Sequence, residues 1–476
     1  MILLAAAILS STLLGYLAVR IFLPVYKPAW ADLTLKICLG FGVGAGLASS
    51  LFFLTRLLPG PSTAAVIMTE SVLLGGAAIA FRFARDTLTI DITEARPAGR
   101  SWLMLAAFLG ALAVFTAVFV DGSAANPHGA WDAWSIWNLR AKFLAQPDAT
   151  WRRAFSASLN HIAGGGARHP EYPLLLSGYI ARCWVLMGSI GAVAAPIATA
   201  GLFSFATVGL LVSALAILRG FNSAMAGGLV LLATAGFLTD SPWQYADVPL
   251  AFYFLAAFAA WFLADSDVRR RGRIAVLTGV AAGLAAWTKD EGMLFMLVLG
   301  LAFAFYVAGG KPLLSETLRG FAAGAAPPAA LVLSFRLFVA PPIATPVSPA
   351  AAAHQLTEAG RYLQIARAFW SEGSGLALPL LSLLILGGCL GVPSDRRRKP
   401  VLLASSAALL TMFVAYGFAY VVTPMDLTWH LSTSLGRLWV QLWPSFVFIA
   451  VAAFNPAQLQ APQRITPEKG KKRSRS

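Results

Sequence analysis

IAVLTGVAAGLAAWTKDEGMLFMLVLGLAFAFYVAG, residues 274–309, is two apolar runs joined by three charges, Lys289, Asp290 and Glu291. Neither run alternates apolar with polar residues, which argues against a transmembrane β-barrel. Each is long enough, or nearly so, to cross a hydrocarbon core of ~30 Å as a helix. Ionisable groups at such a place cost about 2.5–3.5 kcal/mol each on insertion scales and commonly mark sites. A charged hairpin turn in water accounts for them equally well. Lys289 is the candidate of the three for gripping a phosphate as a point charge.

The same pattern extends across the chain. Of 476 residues 58% are hydrophobic and only 12% charged, and the mean hydropathy is +0.71. A soluble domain carries about 25% charged residues, so a soluble enzyme and an intrinsically disordered chain are both excluded. Further apolar segments fall near 2–24, 34–56, 63–82, 101–120, 173–190, 196–218, 223–239, 248–264, 318–340, 374–391, 401–422 and 437–453. The fold class is all-α, a polytopic transmembrane protein. Residues 2–24 read as a retained first span, with no basic leader before them. Cys38, Cys183 and Cys389 sit apart in apolar segments and read as small hydrophobes.

Basic residues orient the spans. Arg82/Arg85/Arg96/Arg100, Arg269/Arg270/Arg271/Arg273, Arg396/Arg397/Arg398/Lys399 and the tail GKKRSRS are expected on the cytoplasmic side. The net charge of +15 is thereby explained by the bilayer, with no nucleic-acid partner. Parity then allows only an odd number of crossings between Val120 and Arg219, so 173–190 and 196–218 do not both span. Taking 172–190, interrupted by Arg182, as re-entrant or interfacial leaves about thirteen spans. Arg56 departs from the rule by falling outside. The expected organisation is a four-span bundle over 1–120, a catalytic membrane domain over 121–453 with an outer loop at 121–172 carrying interfacial helices, and a disordered basic tail over 454–476. An outer loop of roughly fifty residues exceeds the usual 2–8-residue helix connection.

That loop carries HGAWDAWSIWNLRAKF, residues 128–143. Trp131, Trp134 and Trp137 recur every three residues, one face of a helix, with Asp132 beside them. The stretch serves as an interfacial anchor, or Asp132 faces a cavity as a general base while the indoles stack on a sugar ring. Arg140, Lys142, Arg152, Arg153 and Arg168 lie where basic residues are scarce and point to something anionic; Arg140 is a candidate phosphate contact. In ARHPEYPLLL, 167–176, His169 and Glu171 belong to a proline-stiffened helix start or contact substrate. DSPWQYADVPLAFY, 240–253, places Asp240 and Asp247 at the outer ends of two spans. The helix dipole explains Asp247, and so does a second functional carboxylate. DLTWHLSTSLGRLWVQLWP, 426–444, has His430 and Arg437 at the outer end of the last span. Arg437 binds phosphate bidentately or snorkels. Glu70, mid-span, is expected to pair internally, and Arg361 and Arg367 to contact a headgroup. His128, His161, His169 and His430 form no tight metal spacing, and no Walker A, Rossmann or Gly-x-Ser-x-Gly motif occurs in a credible context.

In order, WDAWSIWNLRAKF, HPEYPLLL, YADVPLAFY, GLAAWTKDEG and GRLWVQLWP resemble the GT-C glycosyltransferases that use polyprenyl-phosphate sugars, a group that includes protein mannosyltransferases and the aminoarabinose transferase of lipid A. The resemblance covers roughly 121–453. Here four spans precede the catalytic loop where the family usually has one, and Ala133 follows Asp132 where many members have Glu. The resemblance implies Asp132 as catalytic carboxylate, Asp247 as its acidic support, and Lys289 and Arg437 as lipid-phosphate ligands. It implies an inverting single displacement from a polyprenyl-phosphate-linked sugar to an extracytoplasmic acceptor, in the plasma (inner) membrane. No cofactor is required, although Asp132 with Asp247 could hold a divalent metal ion. Two rivals stand beside this expectation. One is a transporter or flippase for a lipid-linked glycan, which would show broken helices with paired charges near the midplane. The other is a polysaccharide polymerase or ligase.

Overall fold

The apolar runs wind into helices because a backbone inside a bilayer must satisfy its own N–H and C=O groups. The computed structural model describes residues 1–58, 63–84, 89–92, 101–146, 149–155, 169–308, 314–342, 347–391 and 399–455. Arg85, Arg96, Arg100, His161, Arg168, Arg396, Arg397, Arg398 and the tail from 456 lie outside these residues. The N-terminal helices are α1 (Ile2–Phe22), α2 (Ala29–Leu57), α3 (Thr63–Ala84) and α4 (Trp102–Ala125). The outer stretch holds a π-turn at Ala133–Trp137 that runs directly into α5 (Asn138–Leu144). Next come α6 (Leu175–Met187), α7 (Ala194–Arg219), α8 (Phe221–Leu232) and α9 (Ala235–Asp240). The middle of the chain forms α10 (Asp247–Ser266), α11 (Arg271–Thr288), α12 (Asp290–Ala308) and α13 (Leu314–Phe338). The last elements are α14 (Pro349–Thr357), α15 (Ala359–Ser374), α16 (Ala377–Leu390), α17 (Lys399–Val421) and α18 (Leu427–Ala453).

Ten of these helices are long and apolar enough to cross a membrane, and two bent pairs raise the number to twelve at most among the described residues. The chain is therefore a multi-pass helical membrane protein, with fewer candidate spans than the thirteen expected. The apolar run 223–239 breaks after α8 and turns by 70° into the segment beginning with α9. The run 374–391 is the second arm of another bend, 69° from α15 to α16. The segment 274–288 lies in α11, whose first turn carries Arg271 and Arg273 and lowers its hydropathy. α6 has 13 residues, ~20 Å of helix, too short for the hydrocarbon core. Residues 423–436, between the apolar segments 401–422 and 437–453, are mostly helix, since α18 begins at Leu427.

Two glycine seams draw helices together at backbone distance. A Cβ on Gly15 would strike the Gly40 carbonyl, and one on Gly44 the Ser11 carbonyl, so α1 and α2 touch main chain to main chain. α11 and α13 do the same through Gly279 against the Phe321 carbonyl and Gly320 against the Gly272 carbonyl. Small residues serve this purpose in membranes, where packing replaces hydrophobic collapse as the force between helices. Beside the first seam, Arg182 of α6 is fully buried. It binds the Glu70 carboxylate of α3, the Ala7 carbonyl at 2.8 Å and Ser10 Oγ at 3.0 Å, the internal pairing expected of Glu70.

The bundle has two chemically different ends. At one, Arg273 binds the carbonyls of Ile21 and Ala84, Arg219 binds that of Ala452, and Val25–Tyr26 (β1) pairs in parallel with Thr89–Ile90 (β2). The basic residues Arg82, Arg269–Arg273 and Lys399 belong to this end. At the other end meet the C-terminus of α4, the π-turn, the start of α10, the α11–α12 junction and the first third of α18. Arg56 is also there, donating to the Gln146 carbonyl at 3.1 Å.

Candidate active site

Asp132 owes its position to a loop clamped at several points. The Ala130 N–H donates to the Trp243 carbonyl at 3.1 Å, and Gln244 Nε2 to the Pro127 carbonyl at 3.1 Å. Asn138 Nδ2 donates to Gln244 Oε1 at 2.9 Å and to the His128 carbonyl at 3.3 Å. The clamp needs Gly129, whose φ is 75° and whose Cα faces the Trp243 carbonyl so closely that a Cβ would sit 2.6 Å from it. Gln244 itself takes a left-handed φ of 61° to turn the chain into α10.

Four residues from distant parts of the sequence converge there. Arg437, on α18, bonds through Nη1 to the Asp132 carboxylate and lies 3.9 Å from Asp247 Oδ2. Its guanidinium covers the Tyr245 ring, 5.2 Å from the centroid. Lys289 stands in extended backbone between α11 and α12, φ −160° and ψ 163°. Its Nζ reaches Asp247 Oδ1 at 2.9 Å and Glu291 Oε1 at 2.8 Å. Burial pushes the Lys289 ammonium down, but Asp247 and Glu291 more than offset this and hold it above its ordinary value, fully charged. Burial, with the Asp132 charge beside it, raises the Tyr245 phenol, which stays neutral.

A second line of residues braces Asp247. Gln441 lies four residues beyond Arg437 and donates from Nε2 to Asp247 Oδ1 at 2.5 Å. Its own Oε1 accepts from Tyr416 of α17 at 2.5 Å. Asp247, 2% exposed, is thus bound by an amide and an ammonium with a guanidinium close by. Sequence reasoning missed Gln441, Tyr416 and Tyr245, and named Glu291 only as one of three charges between two apolar runs. The signal available was the polar Gln441 inside LWVQLWP.

Other expected site residues fall elsewhere. Trp131 and Trp134 lie at the rim, 54% and 47% exposed, in contact with each other at 4.4 Å. Trp137 is buried and stacks on Tyr172 at 5.8 Å, so the three indoles do not form one face. The π-turn, with its i→i+5 winding, displaces Trp137 from the register that a spacing of three predicts. Arg140 is fully buried and donates to the Tyr172 carbonyl at 2.6 Å. Its guanidinium lies 5.0 Å from the Trp137 centroid, and burial lowers its pKa to about 10. It staples the 169–172 turn in place of facing the carboxylates of the cluster. In that turn His169 Nδ1 lies 3.0 Å from Glu171 Oε1, and the His169 ring stacks on Tyr172. His430 is two turns before Arg437 on α18, bonded to Thr423 Oγ1 at 2.9 Å. Arg361 binds the carbonyls that end α17, including Val421 at 2.8 Å, where a headgroup contact was expected. As for a metal, Arg437 lies between Asp132 and Asp247, and no group of three or more His, Cys, Asp or Glu with ligating geometry occurs among the described residues. The two carboxylates are bridged by a guanidinium and do not fit a divalent ion as they stand.

The arrangement is two carboxylates interleaved with two cations in a largely buried cluster of a membrane protein, suited to moving a proton beside a developing negative charge. No protein-family model matches the chain, and no curated protein matches it. Among solved structures it is similar to that described as the crystal structure of ArnT from Cupriavidus metallidurans in the apo state, at 16% identity and a TM-score of 0.37. The match covers 66% of this chain and 57% of that one. A likeness of this degree carries no argument about chemistry, which rests on the side chains of the site.

Proposed function

We propose that the protein is a membrane glycosyltransferase that moves a sugar from a polyprenyl-phosphate donor to an acceptor at the non-cytoplasmic face. The observation that carries the reading is the interleaving of Asp132 and Asp247 with Arg437 and Lys289. Glycosyl transfer from a phosphate leaving group needs a base at the acceptor oxygen and cations at the departing one. Asp132, at the more open edge of the cluster, is the base. Lys289 and Arg437 receive the phosphate, and Asp247 holds both cations in place. Attack and departure on opposite faces of the anomeric carbon make an inverting single displacement. A donor that arrives through the bilayer agrees with the absence of a nucleotide-binding motif from the sequence. The positive-inside rule puts the Arg82, Arg269–Arg273 and Lys399 end in the cytoplasm, and the cluster on the opposite face of the plasma (inner) membrane.

The test is transfer from a polyprenyl-phosphate sugar by purified protein. Asp132→Asn is expected to lower it about a thousandfold, within the range general-base catalysis supplies, at unchanged protein yield. Activity retained within tenfold refutes the assignment of the base.

A transporter of a lipid-linked glycan is favoured by one observation, the broken α8–α9 pair together with the buried Glu70–Arg182 pair. The break is closed by a side chain, Trp443 Nε1 donating to Thr234 Oγ1 at 2.7 Å, and Arg182 is saturated by its partners. Reconstituted protein that moves labelled lipid-linked sugar across vesicles without transferring it would establish that second reading.

A further inference from the structure

Both cations of the cluster already hold carboxylates. Lys289 lies between Asp247 and Glu291, on a carboxylate that is 2% exposed and braced by Gln441. The Asp132–Arg437 contact is different. Its side chains are 22% and 18% exposed, and Arg437 Nε is buried with no hydrogen-bond partner. One guanidinium donor is therefore spent on the base while another is unused.

Resting on the glycosyl-transfer reading, we infer that the donor phosphate and Asp132 compete for Arg437, so that donor binding itself releases the base. The donor phosphate, a diester, offers two charged non-bridging oxygens to the guanidinium fork, a bidentate match in which one of them takes up the idle Nε. Asp132, displaced from Nη1, turns to the acceptor. The acceptor hydroxyl gives its proton to the Asp132 carboxylate as its oxygen bonds to the anomeric carbon. The bond from that carbon to the phosphate oxygen breaks, and its electron pair leaves with the lipid phosphate, onto Arg437 and Lys289. Protonated Asp132 is neutral and no longer competes for Arg437. Loss of that proton to water restores its charge, re-forms the Asp132–Arg437 contact and expels the lipid phosphate. The donor must therefore bind before the acceptor, and product release follows deprotonation.

The inference predicts that removing the base tightens donor binding. Affinity for a polyprenyl phosphate would be measured for purified full-length wild type, Asp132→Asn, Asp132→Glu, Arg437→Ala and the Asp132→Asn/Arg437→Ala double variant. Asp132→Asn is expected to bind about tenfold more tightly, ~1.4 kcal/mol. Asp132→Glu, which keeps the competing charge, should stay near wild type, and the gain should vanish in the double variant. Equal or weaker binding by Asp132→Asn, with wild type binding and Arg437→Ala impaired, overturns the competition and leaves the donor site standing. If wild type binds no polyprenyl phosphate, the competition and the glycosyl-transfer reading both fall.

Discussion

The two ends of the bundle both use arginine against low-dielectric surroundings, for opposite purposes. At the basic end Arg273 binds the carbonyls of Ile21 and Ala84, and Arg219 that of Ala452. These lie in the last turns of α1, α3 and α18, where carbonyls have no helical partner. These carbonyls are part of the backbone and cannot swing away. At the other end Arg437 meets two carboxylates, one of them on a partly exposed side chain. An arginine on main chain is a clasp, whereas an arginine on a partly exposed carboxylate can be claimed by another anion.

Two substitutions of one type break this comparison if it is wrong. Arg437→Ala is expected to lower sugar transfer about a thousandfold, the scale of losing a charge-stabilising donor. Arg273→Ala is expected to leave the affinity for a polyprenyl phosphate unchanged and to destabilise the fold by about 2–3 kcal/mol, the scale of hydrogen bonds from a charged group. Transfer kinetics and thermal unfolding of both variants measure the contrast. Loss of donor binding in Arg273→Ala at intact stability would erase the distinction between the ends.

The glycine seams sharpen it from the packing side. A Cβ on Gly320 would collide with the Gly272 carbonyl, while one on Gly76 of α3 meets nothing within 4 Å. Gly320→Ala is therefore expected to destabilise by about 1–3 kcal/mol, the usual range for overpacking. Gly76→Ala should be neutral or stabilising by up to about 1 kcal/mol through helix propensity. Unfolding measurements that rank the two in the reverse order would show that the seam yields where the structure has it rigid.

What was legible in the sequence follows from the same physics. Asp247, Lys289 and Arg437 stood out because charges are rare at the ends of apolar runs, and Asp132 because it stands among regularly spaced tryptophans; the structure links the four in a chain from Asp132 through Arg437 and Asp247 to Lys289. The helical class and most helix cores were readable from continuous apolarity, which demands a self-satisfied backbone. Arg140 was misread because its identity does not say whether an anion or a carbonyl awaits it. Trp137 was assigned to a shared face because spacing assumes α-helical winding, and the π-turn does not obey it. The bend between α8 and α9 was hidden because an apolar run reads the same through a break. Gln441 and Tyr416 were overlooked because a neutral polar side chain among tryptophans and leucines carries no charge to mark it.

Those two residues supply the smallest effect and the finest test. Tyr416 donates to Gln441 Oε1, which fixes the amide with its Nε2 toward Asp247. Neither side chain touches Asp132, so both are positioning residues. Tyr416→Phe removes one hydroxyl and leaves the amide free to flip its oxygen toward the Asp247 carboxylate, a repulsive contact. Asp247 would then hold Lys289 and Arg437 less firmly, and the leaving phosphate would find its cations misplaced. Turnover is expected to fall about tenfold, ~1.4 kcal/mol, the scale of one net hydrogen bond, with donor affinity falling by less than turnover. Gln441→Glu places a second carboxylate against Asp247 and should lower turnover further, whereas Gln441→Asn, with its shorter reach, should fall between wild type and Tyr416→Phe. If Tyr416→Phe changes only thermal stability and leaves turnover intact, the brace is packing and Asp247 is held by its cations alone.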